Sequence, residues 1–142
     1  MEEKNPLDAW DHKDVWRRRG KDFSIEVTRH AVKPVDYWEG PHRWNVYAYI
    51  YPNHPHFATF SGPSIFQDAT TCMHFHRGCS FLEYPMYDGK VTSVKVGSDY
   101  HHLNDDRFTH FAAPLDAYEV FCDADRLFEQ LQNSAQTVRE GE

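Results

Sequence analysis

Apolar and polar residues alternate strictly at Phe23, Ile25 and Val27 against Ser24, Glu26 and Thr28, and this period of two predicts a half-buried β-strand. The alternation returns after Arg43, with Trp44, Val46, Ala48 and Ile50 on one face and Asn45, Tyr47, Tyr49 and Tyr51 on the other. This second strand is expected to pair antiparallel with the first, its Trp44 face toward the core and its tyrosine row outward. Upstream, Trp10, Val15 and Trp16 lie among charges that end in Arg17-Arg18-Arg19-Gly20-Lys21, which suggests a short helix within 8–21 stopped by Gly20. Ser61-Gly62-Pro63-Ser64 reads as a helix start, and Ile65, Phe66, Ala69 and Met73 follow at helical spacing. A strand from Ser80 to Tyr87, the turn dipeptide Asp88-Gly89 and an alternating stretch from Val91 to Val96 predict a hairpin. Another short extended piece is expected around Arg107 to Phe111. Between Leu115 and Gln132, the stripe Val120, Phe121, Ala124, Leu127, Phe128 and Leu131 marks an amphipathic helix that packs on the sheet.

The fold class is therefore α+β: an antiparallel sheet of four to five strands, in strand-strand-helix, strand-strand-helix order, with the C-terminal helix on one face. Residues 1–7 and 133–142 are polar and fall outside any hydrophobic period, so disordered tails are expected around a single domain over 8–132.

Composition narrows the function classes. The 142 residues carry 15 Lys plus Arg against 22 Asp plus Glu, a formal charge of -7, which argues against generic nucleic-acid binding and against a membrane surface. Three cysteines make an odd, sparse set, so a reducing, cytoplasmic setting without a disulfide framework is the expectation. No apolar run suits a signal peptide or a membrane span. What stands out is 10 His beside 4 Trp, 8 Tyr and 10 Phe, more imidazoles and ring faces than packing alone calls for.

Metal chemistry is one use for the histidines. Cys72, His74, His76 and Cys79 offer two thiolates and two imidazoles, the ligand types of tetrahedral zinc, but their spacing is tighter than in common zinc modules, and buried structural cysteines are the plainer reading. His54, His56, His101 and His102 with Asp99, Asp105 and Asp106 offer a mixed His/carboxylate set, from which His54, His56, His102 and Asp105 make a metal-dependent phosphoesterase conceivable. The specific signatures fail: neither His-x-His pair is followed by Asp-x-His, and His-Asp, His-x-Thr, His-x-Ser, His-Glu-x-x-His and Gly-rich phosphate loops are all missing. The segment from His102 to His110 also has two readings. It is either a loop in which Asp caps backbone N–H groups and Arg107 pairs with an acid, or a place where Arg107 and nearby imidazoles grip an anion.

Asp22 to Val27, Gly40 to Trp44 with Tyr51 to Pro55, and Lys90 to Val94 with Asp105 to His110 resemble a group of small uncharacterised proteins of tailed bacteriophages and prophages, over roughly residues 10 to 132. The resemblance implies a genomic context rather than an activity: such accessory proteins act by stoichiometric binding of a host factor or by removing an immune signal. The expectation is a non-enzymatic protein that sequesters a small anionic nucleotide-like ligand in the host cytoplasm, as a compact homo-oligomer. Trp44, Tyr47 and Tyr49, with Trp38 nearby, would stack on its ring; Arg43, His102, Arg107 and His110, beside Asp105, would meet its phosphates. The alternative partner is a host defence protein bound through the Tyr/Trp face.

Overall fold

The structure is a computed structural model that describes residues 13–34, 36–61, 73–102 and 105–140. Its strands are β1 (Lys13–Arg19), β2 (Phe23–Ala31), β3 (His42–Ile50), β4 (Phe81–Glu83), β5 (Met86–Tyr87), β6 (Lys90–Val91) and β7 (Val94–Asp99). Five of them form one antiparallel sheet in the order β1-β2-β3-β7-β4, and β5 and β6 form a separate ribbon. Among the described residues there is one α-helix, α1 (Tyr118–Glu140), which crosses β2 and β3 on one face, so the α+β class and the antiparallel sheet are as expected.

The register explains the core. Phe23 faces Ile50, Ile25 faces Ala48 and Val27 faces Val46, while Ala48 faces Val96 on the next strand, so apolar residues meet apolar ones through the middle of the inner face. Val120, Ala124, Leu127 and Leu131 of α1 close that layer and are buried with it. Trp44 belongs to this layer, buried between Trp16 (5.5 Å, stacked) and Phe121 (5.9 Å, edge-on), with its indole N–H on the Phe111 carbonyl at 2.9 Å.

Four local expectations change. The 8–21 helix is corrected where it is described: 13–19 form edge strand β1, because adjacent Val15 and Trp16 serve opposite faces, Trp16 inward, and Arg17 and Asp14 find partners in Glu26 and Arg29 across the ladder. Gly20 does not stop a helix; it opens the β1–β2 turn, where a Cβ would lie 2.2 Å from the Phe23 ring. The extended piece at 107–111 is a 3-10 helix, Asp106–His110, because Phe108 and Thr109 are both buried and an alternating strand would turn one of them out. The tail expected from Asn133 is helical through Glu140, tied down by buried Ala135 and by the Ser134 hydroxyl, 3.0 Å from the His56 ring. The helix expected from Ser61 to Met73 lies almost wholly outside the described residues.

The hairpin turns where predicted. Asp88 (φ 52°) and Gly89 (φ 78°) both take the positive φ that a tight two-residue turn needs. Its arms are interrupted, since the Pro85 carbonyl accepts from both the Thr92 N–H and hydroxyl, separating the β5–β6 tip from β4 and β7. Among the described residues no helix is long and apolar enough to cross a membrane.

Candidate functional site

On the outer face, the register lines up Arg17, Glu26, Tyr47, Gly97 and Phe81 in one row, and Arg19, Ser24, Tyr49, Lys95 and Glu83 in the next. Tyr47 lies over Gly97, where a Cβ would come within 2.4 Å of its ring, and it meets the Phe81 ring edge-on at 5.4 Å. The Lys95 ammonium sits 4.3 Å from the Tyr47 centroid and 5.2 Å from that of Tyr49, at cation–π distance. Tyr51 hydrogen-bonds Ser24 at 3.0 Å, and Arg17 donates to Glu26 at 2.8 Å. Under this cover Ser24, Glu26 and Thr28 are buried although they point away from the core. Burial pushes the Tyr47 phenol up, against the opposing pull of Lys95. The tyrosine row thus packs on its own side of the sheet, where the sequence suggests a row left free for recognition.

An open basin of about 320 Å³ lies at one end of this face, lined by His30, Val32, Arg43, Asn45, Asp99 and His101, with Trp44 beneath it. Arg43 donates to the carbonyls of Gly40 (2.9 Å) and His42 (3.0 Å), which fixes its guanidinium. Glu39 then bridges two basin side chains: one oxygen is 3.3 Å from Arg43 and the other 2.9 Å from the His101 ring. Immediately before Glu39 in the chain, Tyr37 and Trp38 stand edge to face at 5.2 Å and are exposed, 96% and 49% accessible. The Gly40 N–H donates to the Thr109 hydroxyl at 2.8 Å, so this loop is pinned to the 3-10 helix.

The eight expected ligand residues do not converge. Arg43, Tyr47 and Tyr49 share the outer face, Arg43 at the basin and the tyrosines further along the sheet. Trp44 is 1% exposed on the inner layer and cannot stack on a ligand, as alternation along β3 requires. Arg107 pairs with Glu119 at 2.7 Å and lies over the Phe108 ring, the ordinary loop reading. His110 reaches the Trp38 carbonyl at 2.8 Å. His102 and Asp105 join a different cluster.

That cluster lies past the end of β7, under the loop after Met73. Asp105 is 1% exposed; both its oxygens are 2.9 Å from His76 Nε2, and one is also 2.9 Å from the His102 backbone N–H and 3.3 Å from His102 Nδ1. Burial alone would push its carboxyl up, but these bonds and the Arg77 guanidinium 3.6 Å away outweigh it and hold the carboxyl below its ordinary range. His76 is stacked on Tyr100 (4.2 Å, 11°) and met edge-on by Phe108 (5.4 Å). The Tyr100 hydroxyl and His74 Nε2 both bond Asp123 on α1. A tight turn, with Gly78 N–H on the Phe75 carbonyl and Arg77 at φ 56°, aims His76 and Arg77 at the same carboxylate.

Among the described residues, the members of the two metal sets drawn from the sequence do not all come together. His74 and His76 go to different aspartates, Cys79 donates to the Phe81 carbonyl at 3.2 Å, and Cys72 lies outside the described residues. His54 and His56 stack on each other at 5.3 Å and bond Leu131 and Ser134 of α1, apart from His102 and Asp105. Sequence reasoning missed Glu39, His101 as its partner, and the Tyr100–Asp123 pair. Strand alternation does carry one usable signal, since pairing places His30 beside Arg43. Comparison with protein-family models, with curated proteins and with solved structures finds no match to this chain.

Proposed function

We propose that this protein is a non-enzymatic binding protein of the bacteriophage accessory type, which sequesters a small anionic nucleotide-like ligand in the basin at the end of its outer sheet face. The observation that carries this reading is the Glu39 carboxylate held between Arg43 and His101, because it marks a place where the chain already accommodates an anion between two cationic or donor groups. A phosphate that displaces Glu39 meets a guanidinium already oriented by two carbonyls, which reduces the ordering cost of binding. The exposed Tyr37 and Trp38, immediately before Glu39 in the chain, supply ring faces for a base, the part first assigned to Trp44. A volume of about 320 Å³ sits at the lower end of the range of small-molecule sites, roughly 300–1,000 Å³.

Thermal-shift screening against cyclic dinucleotides and ADP-ribose derivatives tests the proposal. A binder present at about 100 times its Kd adds about 2.7 kcal/mol of stability. A concentration-dependent rise that Trp38→Ala diminishes supports it, and a flat response to the whole panel removes it. A host protein partner is the second reading, favoured by the near-complete exposure of Tyr37 beside Trp38, since aromatic anchors dominate interface energetics. Retention of a specific host protein, lost in Tyr37→Ala with Trp38→Ala, would distinguish it.

A further inference from the structure

We propose that His76, His102 and Asp105 form a binding site for a divalent transition cation, with Zn²⁺ the ion that the donor set fits. The three side chains come from separate places: the turn after Phe75, the exit of β7, and the residue before the 3-10 helix. One ligand atom from each lies within 4.8 Å of the others. Zinc bonds of about 2.0–2.2 Å at tetrahedral angles set neighbouring donors roughly 3.4 Å apart. The observed 2.9 Å from His76 Nε2 to Asp105 and 3.3 Å from His102 Nδ1 to Asp105 need to open by only a few tenths of an ångström. Two imidazoles and one carboxylate select against Mg²⁺ and Ca²⁺, which prefer oxygen throughout, and suit zinc with a remaining position open to water.

The surroundings are those of a supported metal site. His76 packs on Tyr100 and Phe108, which also touch each other, so its ring is already held before binding. The carboxylate is buried, whereas the side chains of His76 and His102 are 18% and 29% exposed, giving an ion a way in from the imidazole side. Asp99, 3.4 Å from His102 Nδ1, adds a second negative charge that offsets Arg77. In the metal-bound form, His76 carries its proton on Nδ1 and His102 on Nε2, and each ring turns a lone pair toward the ion. Arg77 holds a positive φ that non-glycine residues seldom take, a form of strain concentrated at functional positions.

The test is titration of the full, tag-free chain, stripped with chelator, with Zn²⁺ by calorimetry, and with Co²⁺ by visible absorption. The expected result is one ion per chain, Co²⁺ bands characteristic of four or five ligands, and a loss of at least about 100-fold in affinity for His76→Gln and for His102→Gln. His110→Gln, on the exposed end of the 3-10 helix and outside the set, keeps wild-type affinity. Wild-type protein that binds no Zn²⁺, or binding that both His variants retain while folded by circular dichroism, overturns the proposal. Should either variant fail to fold, the wild-type Co²⁺ spectrum decides alone, its absence counting against the site. The two sites share Asp99, but the nucleotide screen reads Arg43 and Trp38 whereas the metal titration reads His76 and His102, so the two proposals fail separately.

Discussion

Truncating Trp44 to Ala separates the two faces of β3 most cleanly. The indole is buried, stacks on Trp16, meets Phe121 edge-on and donates to the Phe111 carbonyl, so the substitution opens a cavity under α1 and orphans one acceptor. Trp→Ala changes in cores cost about 3–5 kcal/mol, and the lost hydrogen bond places this one in the upper half of that range. For a domain with a total stability of about 5–15 kcal/mol, that is a large fraction. At roughly 3–5 °C per kcal/mol for a chain of this size, Tm falls by about 12–25 °C. Tyr49→Ala, five residues further along β3 on the opposite face, removes one ring near Lys95 and costs about 1 kcal/mol or less. Urea melts of both variants by tryptophan fluorescence and far-UV circular dichroism provide the comparison. Equal midpoints, or a larger loss in Tyr49→Ala, would refute the assignment of faces and with it the placement of the basin.

Gly40→Ala should destabilise by about 1–3 kcal/mol or more, because the new Cβ falls 2.2 Å from the Thr109 carbonyl oxygen and neither backbone can yield without breaking the Gly40–Thr109 bond; a urea midpoint equal to wild type counts against that packing. Acid should also weaken the fold. His54 donates from Nε2 to the Leu131 carbonyl and accepts the His56 N–H at Nδ1, a neutral tautomer, and burial holds its pKa below the ordinary value despite that carbonyl. The unfolded chain therefore takes up a proton below about pH 6.5 that folded His54 resists, so stability present above that pH is lost as pH falls from 7 toward 5. His56, depressed chiefly by burial, acts in the same direction. Melts at pH 7.5 and 5.5 should show the lower midpoint at 5.5 and a flatter dependence in His54→Gln; a midpoint that rises at acid pH contradicts the argument.

Elements whose period matches their burial were legible in the sequence. Phe23 to Thr28, Trp44 to Tyr51 and the α1 stripe each carry one periodicity, and each folds accordingly. β1 was not, because an edge strand facing solvent keeps only Trp16 as an inward apolar anchor, and the run Arg17-Arg18-Arg19 looks the same on a helix end as on a charged edge. The 3-10 turn at Asp106–His110 depends on Thr109 meeting Gly40, a contact 69 residues away that no local pattern encodes. The same holds for the sites. Strand alternation placed Arg43, Tyr47 and Tyr49 together, but whether an aromatic row is cover or binding surface depends on what lies below it, here Gly97, Glu26 and Ser24. Glu39 and the Tyr100–Asp123 pair are brought in by loops and by α1, and their spacing in the chain carries no signal.

In the proposed site, Glu39 occupies the place that a ligand anion would take between Arg43 and His101. The most direct test of this claim is equilibrium titration of wild-type protein, Glu39→Gln and Arg43→Gln with the cyclic dinucleotide or ADP-ribose derivative that gives the largest thermal shift. Removing the competing carboxylate should tighten binding by about tenfold or more, a gain of roughly 1.4 kcal/mol, and removing the guanidinium should weaken it by a similar factor or more. Unchanged affinity in both variants would contradict the claim and place any bound nucleotide elsewhere on the protein.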